Sequence, residues 1–235
     1  MSRIGVVSAL PLEARCLRRR GLLGGLPAWP AETMVGISGP GRTRARSTAE
    51  RLVAQGATSL LSWGLAGGLD PEIAPGTLIA ADQVMTAGGT NYPTDKAWRH
   101  GVLAALPAGV AVVEGPLFAS EGIVATCAQK AILLHHYAAV AVDMESGGIA
   151  RVASRYGLPL LVLRVVVDPA AMAMPPAFAE AVDKRGALRL THLINGLMRR
   201  PAMLWPLLQL AYSARLATST LRRIAPIVMD SGTWP

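Results

Sequence analysis

The stretch AVDMESGGIARVASRYGLPLLVLRVVVD, residues 141–168, starts with a short apolar run, continues through an Ala- and Gly-rich segment, and ends in a run of β-branched residues and leucine. This order predicts a strand, a helix and a second, fully buried strand. Three acids, Asp143, Glu145 and Asp168, stand at the ends of this unit. Because they border segments that are otherwise apolar, small or basic, they are the first candidates for a functional site.

The same alternation continues through most of the 235-residue chain. Strands buried on both faces and separated by helices are typical of a largely parallel sheet with crossover connections. We therefore predict an α/β fold, a single domain over residues 1–198 with a mixed, largely parallel central sheet flanked by helices. The predicted strands are 4–10, 33–39, 57–64, 76–85, 110–120, 140–143 and 158–168, and the predicted helices are 42–55, 126–137, 145–156 and 177–198.

Charge and cysteine content narrow the class of protein. The formal net charge of +8 could attract nucleic acid, anionic lipid or phosphate-bearing ligands. The arginines are not interleaved with aromatic residues on one platform, so we expect no nucleic-acid partner. Cys16 and Cys127 are far apart and form no CxxC pair. This spacing favours a reduced, cytoplasmic compartment and predicts no metal site.

The last part of the chain, residues 199–235, changes character: it is an apolar segment with flanking arginines. We expect Pro201 and Pro206 to interrupt any long helix there, and the apolar block is too short to span a bilayer. Two alternatives stay open. The segment packs on the domain or on a partner subunit, or residues 201–223 make a peripheral membrane contact with their tryptophan and tyrosine at headgroup level.

Acidic residues and glycines follow several predicted strands. Glu13 comes just after the first strand, a GLAGGLD loop follows the strand 57–64, and Glu145 and Asp168 follow two others. In open parallel sheets, ligands bind at the carboxyl ends of strands. Singly, each acid has a structural alternative: a surface ion pair of Glu13 with Arg15 or Arg18, a favourable helix N-terminus for Glu145, or a turn at Asp168. Together they indicate acid/base chemistry on a neutral or cation-developing substrate.

Four segments in this order resemble the purine nucleoside phosphorylase and methylthioadenosine/adenosylhomocysteine nucleosidase superfamily. They are IGVVSALPLEA, SGPGRTRA, SWGLAGGLDPEIAPGTLIAADQV and VAVDMESGGIARVASRYGLPLLVLRVVVD, and the resemblance covers about residues 4–195. Overall likeness, a shortened middle and the apolar tail resemble most the hopanoid-associated nucleoside phosphorylase branch. The implied reaction is cleavage of the N-glycosidic bond of a purine nucleoside with release of adenine, and the implied substrate is adenosylhopane.

The resemblance also implies roles for individual residues. Met144 and Glu145 would receive the ribose, and the Glu145 carboxylate would face the positive charge that develops on the sugar. Asp168 would be the general acid that protonates the leaving purine, with a pKa raised by its apolar surroundings. Glu13 would orient and deprotonate an attacking water. The other implied substrate contacts are Ile123 and Val124, at the adenine edge, and Ala66 and Gly67, in the glycine loop.

The nucleophile, water or phosphate, stays open at this point. Glu13 stands where the hexameric phosphorylases of this superfamily carry a phosphate-binding arginine. A carboxylate there would repel phosphate by about 4 kcal/mol per charge pair at intermediate screening, which favours water. Leu65, however, replaces a serine of the nucleosidases. The N–H groups of the turn at Gly41 and the guanidinium of Arg42 could instead cradle phosphate.

The resemblance implies no organic cofactor or metal, and it implies a homo-oligomer. We expect a cytoplasmic enzyme, with a peripheral position at the inner membrane face if the tail contacts lipid. Two alternatives in function stay open: a nucleosidase that acts on small methylthioadenosine- or adenosylhomocysteine-type nucleosides, and a non-catalytic nucleoside-binding protein that keeps the pocket without the reaction.

Overall fold

A computed structural model describes residues 2–17, 32–174 and 204–235. The expected helix 177–198 lies outside this part of the chain. The strands are β1 Ile4–Ser8, β2 Thr33–Ile37, β3 Ser59–Gly68, β4 Leu78–Thr86, β5 Asn91–Pro93, β6 Val112–Ala119, β7 Ala141–Asp143 and β8 Leu160–Asp168. The helices are α1 Pro11–Cys16, α2 Arg42–Ala54, α3 Lys96–Ala104, α4 Cys127–Tyr137, α5 Ser146–Tyr156 and α6 Leu204–Val228.

All seven predicted strands are present, with ends that differ by up to four residues, and so are the predicted helices 42–55, 126–137 and 145–156. The sequence analysis missed β5, α1 and α3. Two of these elements are very short: β5 has three residues and α1 has six. Elements of this length do not show a full period of the apolar pattern on which the predictions rest.

The sheet is mixed and largely parallel, as predicted. Strand β1 pairs in parallel with β2 and β3, β3 with β8, β4 with β6, and β6 with β7. Strand β4 runs antiparallel to β5 and β8, and β7 antiparallel to the end of β3. Because β8 pairs with both β3 and β4, the strands β3, β8, β4, β6 and β7 form a closed ring, and β1 and β2 extend the sheet beyond β3.

Helices cover both faces of the sheet. On one face α2 and α5 pack on β1, β3 and β8 through a cluster that includes Ala49, Leu52, Ile149 and Val162. On the other face α6 buries an apolar stripe against the same strands. The stripe consists of Ala217, Leu221, Ile224 and Val228. The prediction of a single α/β domain is confirmed.

Helix α6 corrects the expectation about the C-terminal segment. Pro206 does not interrupt it, because this residue lies in the first helical turn, where the backbone N–H has no intrahelical partner to lose. The buried stripe of α6 packs on the domain, whereas the side chains of Trp205, Leu208 and Tyr212 on its first half are exposed. No helix in the described ranges is both long enough and apolar enough to cross a membrane.

Candidate active site

The three predicted acids lie around the end of β3. Gly67 of β3 pairs with Val142 of β7 on one side and with Asp168, the last residue of β8, on the other. Glu13 follows β1 in helix α1, and Glu145 immediately precedes α5. The side chains of Glu13, Glu145 and Asp168 are all buried. Strand pairing and the two helix starts therefore bring together residues that are up to 155 positions apart, from 13 to 168.

Glu13 is held by three hydrogen bonds. Its Oε2 accepts from the Ser8 hydroxyl at 2.9 Å and from the Leu10 N–H at 2.8 Å, and its Oε1 accepts from the Leu65 N–H at 2.9 Å. A carboxylate has about four acceptor sites, so one site on Oε1 remains for a further donor. Burial raises the pKa of the carboxyl group, against the lowering effects of Arg164 and of these hydrogen bonds.

Arg164, in the middle of β8, is the only cation that the described residues place beside Glu13, Asp143 and Glu145, and it is fully buried. Its Nη2 lies 2.7 Å from Asp143 Oδ2 and 3.8 Å from Glu145 Oε2. The same nitrogen donates to the Ser62 hydroxyl at 2.8 Å. Burial alone would lower the pKa of the guanidinium, but the Asp143, Glu145 and Glu13 carboxylates raise it. We call Arg164, Glu13, Asp143 and Glu145 the arginine cluster.

Asp143 supports the start of α5. Its carboxylate accepts from the Ser146 N–H at 3.1 and 3.2 Å and from the Ser146 hydroxyl, and it pairs with Arg164. Asp143 is therefore bonded to protein groups and positions α5. Glu145 has fewer protein partners, the Gly41 N–H and Arg164.

Glu145 is positioned by the packing of α5 on α2. A Cβ atom at Gly148 would lie only 2.3 Å from the carbonyl oxygen of Arg42, so only glycine permits this approach. The approach brings the N–H of Gly41 to 2.8 Å from Glu145 Oε1. Burial and the neighbouring Asp143 carboxylate raise the pKa of Glu145 to about 7, although Arg164 opposes the shift. This acid therefore titrates near neutrality.

Gly64 separates Glu13 from Arg164. A Cβ atom there would lie 2.6 Å from Glu13 Oε1 and 2.7 Å from Arg164 Nη1, and the backbone has φ of 153°. Residues 64–68, predicted as a loop, belong to β3, and the glycine at 64 is required for close packing of charged side chains around the strand backbone.

Asp168 forms a second charged centre with Lys130 of α4. The Lys130 Nζ lies 2.7 Å from Asp168 Oδ2, and the lysine side chain is fully buried. Burial raises the pKa of Asp168, whereas the Lys130 ammonium lowers it. We call these two residues the lysine pair. A Cβ atom at Gly67 would come within 3.1 Å of Asp168 Oδ2, so this glycine keeps the strand end open beside the acid.

The other predicted site residues have the following contacts. The Gly41 N–H, predicted to face phosphate, is bonded to Glu145, and the Arg42 Nη1 lies 3.2 Å from Glu121 Oε1 at the surface. Of the predicted adenine contacts, Ile123 is 45% exposed and Val124 packs on the Phe118 cluster. Ala66 is buried beside Gly67, and Met144 is half-buried next to Glu145.

Sequence reasoning missed both cations of the site. Arg164 lies among the seven apolar residues of the nine-residue strand β8, and a charge inside a buried strand is a usable signal, because it must be paired. Lys130 lies in α4, which also has polar side chains at Gln129, His135 and His136. The sequence of this helix therefore gives no sign that Lys130 is buried.

A model of the Phosphorylase superfamily matches residues 4–199. The chain belongs to this superfamily. A curated relative, the futalosine hydrolase of Streptomyces coelicolor, is 30% identical over a region that covers 55% of this chain and 64% of the relative. The matched region thus spans less than two thirds of that relative.

Solved structures of superfamily members share the fold. The methylthioadenosine/adenosylhomocysteine nucleosidase of Neisseria meningitidis has a TM-score of 0.71 at 16% identity, covering 97% of this chain and 99% of that one. The corresponding Helicobacter pylori enzyme has a TM-score of 0.66 at 21% identity, with 85% and 99% covered. The futalosine hydrolase of the same organism has a TM-score of 0.67 at 18% identity, with 96% and 97% covered. At these identities the likeness shows the fold.

Proposed function

We propose that this phosphorylase superfamily member is a nucleosidase that cleaves the N-glycosidic bond of a purine nucleoside with water as the nucleophile and releases adenine. The observation that carries the proposal is the charge of the arginine cluster: three buried carboxylates share one guanidinium. If all three acids are ionised, the cluster has a net charge of −2. Such a site attracts a developing positive charge and repels an anion.

The charge of the cluster discriminates between the two nucleophiles. A phosphate dianion beside Glu13 would meet repulsion of about 4 kcal/mol per charge pair at intermediate screening. The nearest cation, Arg164, is already bound to Asp143, Ser62 and Glu145. A neutral water molecule meets no such penalty, and Glu13 Oε1 has an acceptor site left for it.

The acids then divide the reaction between them. As the bond to the purine breaks, Asp168 donates its proton to a purine ring nitrogen, so that the base leaves neutral. Glu145 binds the ribose hydroxyls next to the sugar carbon that gains positive charge, with Met144 against the ring. Glu13 accepts a proton from the water as the water oxygen bonds to that carbon, and the products are free purine and a free sugar.

For the group on the ribose we propose adenosylhopane, and with it a role in hopanoid biosynthesis. The supporting observation is the exposed apolar face of α6, with Trp205 68% exposed and Tyr212 65% exposed. A lipid-linked nucleoside lies at a membrane, and aromatic residues with neighbouring arginines suit that interface. A small nucleoside is the alternative, favoured by the similarity to futalosine hydrolase and to the nucleosidases.

We also propose a cytoplasmic protein that binds the inner membrane face through α6 and forms a homo-oligomer. Vesicles containing anionic lipid should co-sediment with the protein. A Trp205→Ser, Tyr212→Ser variant should lose most of that binding while keeping its melting temperature, because both side chains are exposed. Light scattering of the purified protein measures how many chains the oligomer contains.

The deciding experiment is purine release by the purified protein. Adenosylhopane, methylthioadenosine, adenosylhomocysteine and futalosine are each incubated with and without phosphate, and the free base and the sugar product are separated by chromatography. We expect release without phosphate and a free sugar, not a sugar phosphate. Formation of a sugar phosphate would instead establish a phosphorylase and direct attention to Gly41 and Arg42.

An Asp168→Asn variant supplies the control for this assay. Because asparagine cannot donate the proton, we expect turnover to fall by about 10²- to 10⁴-fold while the nucleoside still binds. The Asp230→Asn variant, at an exposed position, should retain full turnover. Binding of nucleosides by the unmodified protein without any turnover would leave the non-catalytic binding protein as the answer.

A further inference from the structure

Lys130 of the lysine pair contacts backbone carbonyl oxygens as well as the Asp168 carboxylate. The Lys130 Nζ contacts four oxygens: Asp168 Oδ2 at 2.7 Å, the Asp168 carbonyl at 3.1 Å, the Pro169 carbonyl at 2.8 Å and the Met172 carbonyl at 3.0 Å. An ammonium group has three protons, so every donor is engaged. The lysine therefore binds both the acid and the backbone that follows β8.

Helix α4 connects this lysine to the segment proposed to read the purine. Its N-cap, Thr126, is two residues after Val124, and the Gln129 side chain accepts from the N–H groups of Ala125 and Thr126. The Met174 N–H donates to the Ala125 carbonyl from the other side. The segment before α4 and the segment after β8 are thus joined at two points, of which Lys130 is the buried one.

We propose that Lys130 is a positioning residue for the reaction: it orients the Asp168 carboxyl toward the leaving purine and sets the pH at which that group gives up its proton. The proposal rests on the proposed function for its catalytic meaning. Lys130 is not one of the acids that bind the substrate or activate the nucleophile, and it lies on helix α4, whereas Asp168 ends β8.

The charges around Asp168 make this control specific. In the part of the chain that the structure describes, Lys130 is the charged side chain that acts on the Asp168 carboxyl. The acids Glu13, Asp143 and Glu145 act on Arg164 instead. From β3 the neighbour is Gly67, which has no side chain. Loss of the ammonium should therefore change the titration of Asp168 and leave the arginine cluster unchanged.

The test replaces the charge and keeps a donor. In Lys130→Gln we expect the pKa of Asp168 to rise by one to three units, the usual effect of an opposite charge at this distance. Carbon-13 NMR of labelled aspartate carboxyls measures this shift without substrate, with Asp168→Asn used to assign the signal. Lys96→Gln is the matched control, because Lys96 is exposed at the start of α3.

The pH profile of kcat/KM is the second readout. An acid that must be protonated gives a limb that falls as pH rises through its pKa, so the limb should move to higher pH in Lys130→Gln by the same one to three units. We expect kcat on the plateau to fall by up to about 100-fold, because the carboxyl is no longer held in place. Lys96→Gln should change neither quantity.

Two outcomes overturn the proposal: an Asp168 titration that is the same in Lys130→Gln and in the unmodified protein, or a shifted titration with an unshifted kinetic limb. If Lys130→Gln does not fold, Lys130→Met preserves the apolar stem of the side chain and is measured in the same way. Absence of purine release from the unmodified protein would refute the proposed function and the catalytic role of Lys130 together. The NMR titration would then still decide whether Lys130 sets the proton affinity of Asp168.

Discussion

The arginine cluster and the lysine pair are both buried, but they differ in charge balance. In the cluster one guanidinium interacts electrostatically with three carboxylates, Glu13, Asp143 and Glu145. In the pair one ammonium serves one carboxylate and three carbonyl oxygens. With all carboxyls ionised, the cluster has a formal charge of −2 and the pair is neutral; protonation of Glu145, whose pKa is raised to about 7, reduces the charge of the cluster to −1.

The difference separates two tasks that a glycosidic cleavage requires. Excess negative charge stabilises a sugar that becomes positive, and a balanced pair lets a single proton be held or released. The two tasks need separate charged groups. An uncompensated charge next to Asp168 would shift the pKa of that acid, and a further cation beside Glu145 would repel the positive charge that develops on the sugar.

The largest effect should come from removal of the shared guanidinium. Arg164→Met leaves three buried acids without a cation, so we expect the free energy of unfolding to fall by about 3 to 5 kcal/mol at neutral pH. The cost should shrink in acid, where the carboxyls are protonated. Denaturant titrations at two pH values measure this, with Arg46→Met, which breaks a half-buried pair with Glu50 on α2, as the control. Equal losses in the two variants would contradict a cluster held by Arg164.

Glu13→Gln tests the nucleophile side of the cluster. The amide loses one acceptor oxygen, while Ser8, Leu10 and Leu65 still offer three donors. We expect hydrolysis to fall by about 10²- to 10⁴-fold with substrate affinity nearly unchanged. Turnover and equilibrium binding are compared with those of Glu50→Gln. Phosphate-dependent turnover that survives or increases in Glu13→Gln would show that Glu13 does not activate the nucleophile.

The pH dependence of stability should report Glu145. In the folded protein the Glu145 carboxyl keeps its proton up to about pH 7, whereas the ordinary pKa of a glutamate carboxyl is 4.5. The folded state therefore binds more protons in that window, and its stability falls as pH rises from 4.5 to 7, by about 3 kcal/mol for this group. Denaturation of Glu145→Gln over the same range should give a flatter curve. Parallel curves for the two proteins would assign the dependence to other groups.

Much of the fold and the acidic half of the site were within reach of the sequence. The buried strands are continuous apolar runs, and Glu13, Glu145 and Asp168 directly follow such runs or begin the next helix. Strand ends are where ligands bind in α/β proteins, so position along the chain made these acids candidates, and the family resemblance supplied the role predicted for each.

The cations were out of reach for a physical reason. Apolar periodicity reports how much of an element is buried, and it does not report which side chains from distant elements meet. Arg164 finds its partners at Asp143 and Glu145, and Lys130 finds its partner 38 residues away at Asp168. The expectation that Pro206 interrupts a helix was wrong, since a proline breaks a helix only where its N–H would have been bonded. Pro201 lies outside the described residues.

A glycine substitution tests whether the two centres are independent. In Gly148→Ala the new Cβ atom would meet the Arg42 carbonyl at 2.3 Å, so α5 and α2 must move apart and the Gly41 contact to Glu145 must lengthen. We expect a loss of stability of about 1 to 3 kcal/mol, typical of overpacking, although alanine is the better helix former. Gly101→Ala is the matched control, because a Cβ atom at that position in α3 meets nothing within 4 Å, and it should stabilise the protein slightly. Carboxyl titrations of the Gly148→Ala protein should show Glu145 changed and Asp168 unchanged, since Gly148 positions only the arginine cluster. A shift of both acids would mean that the two centres respond to the packing of α5 as one unit.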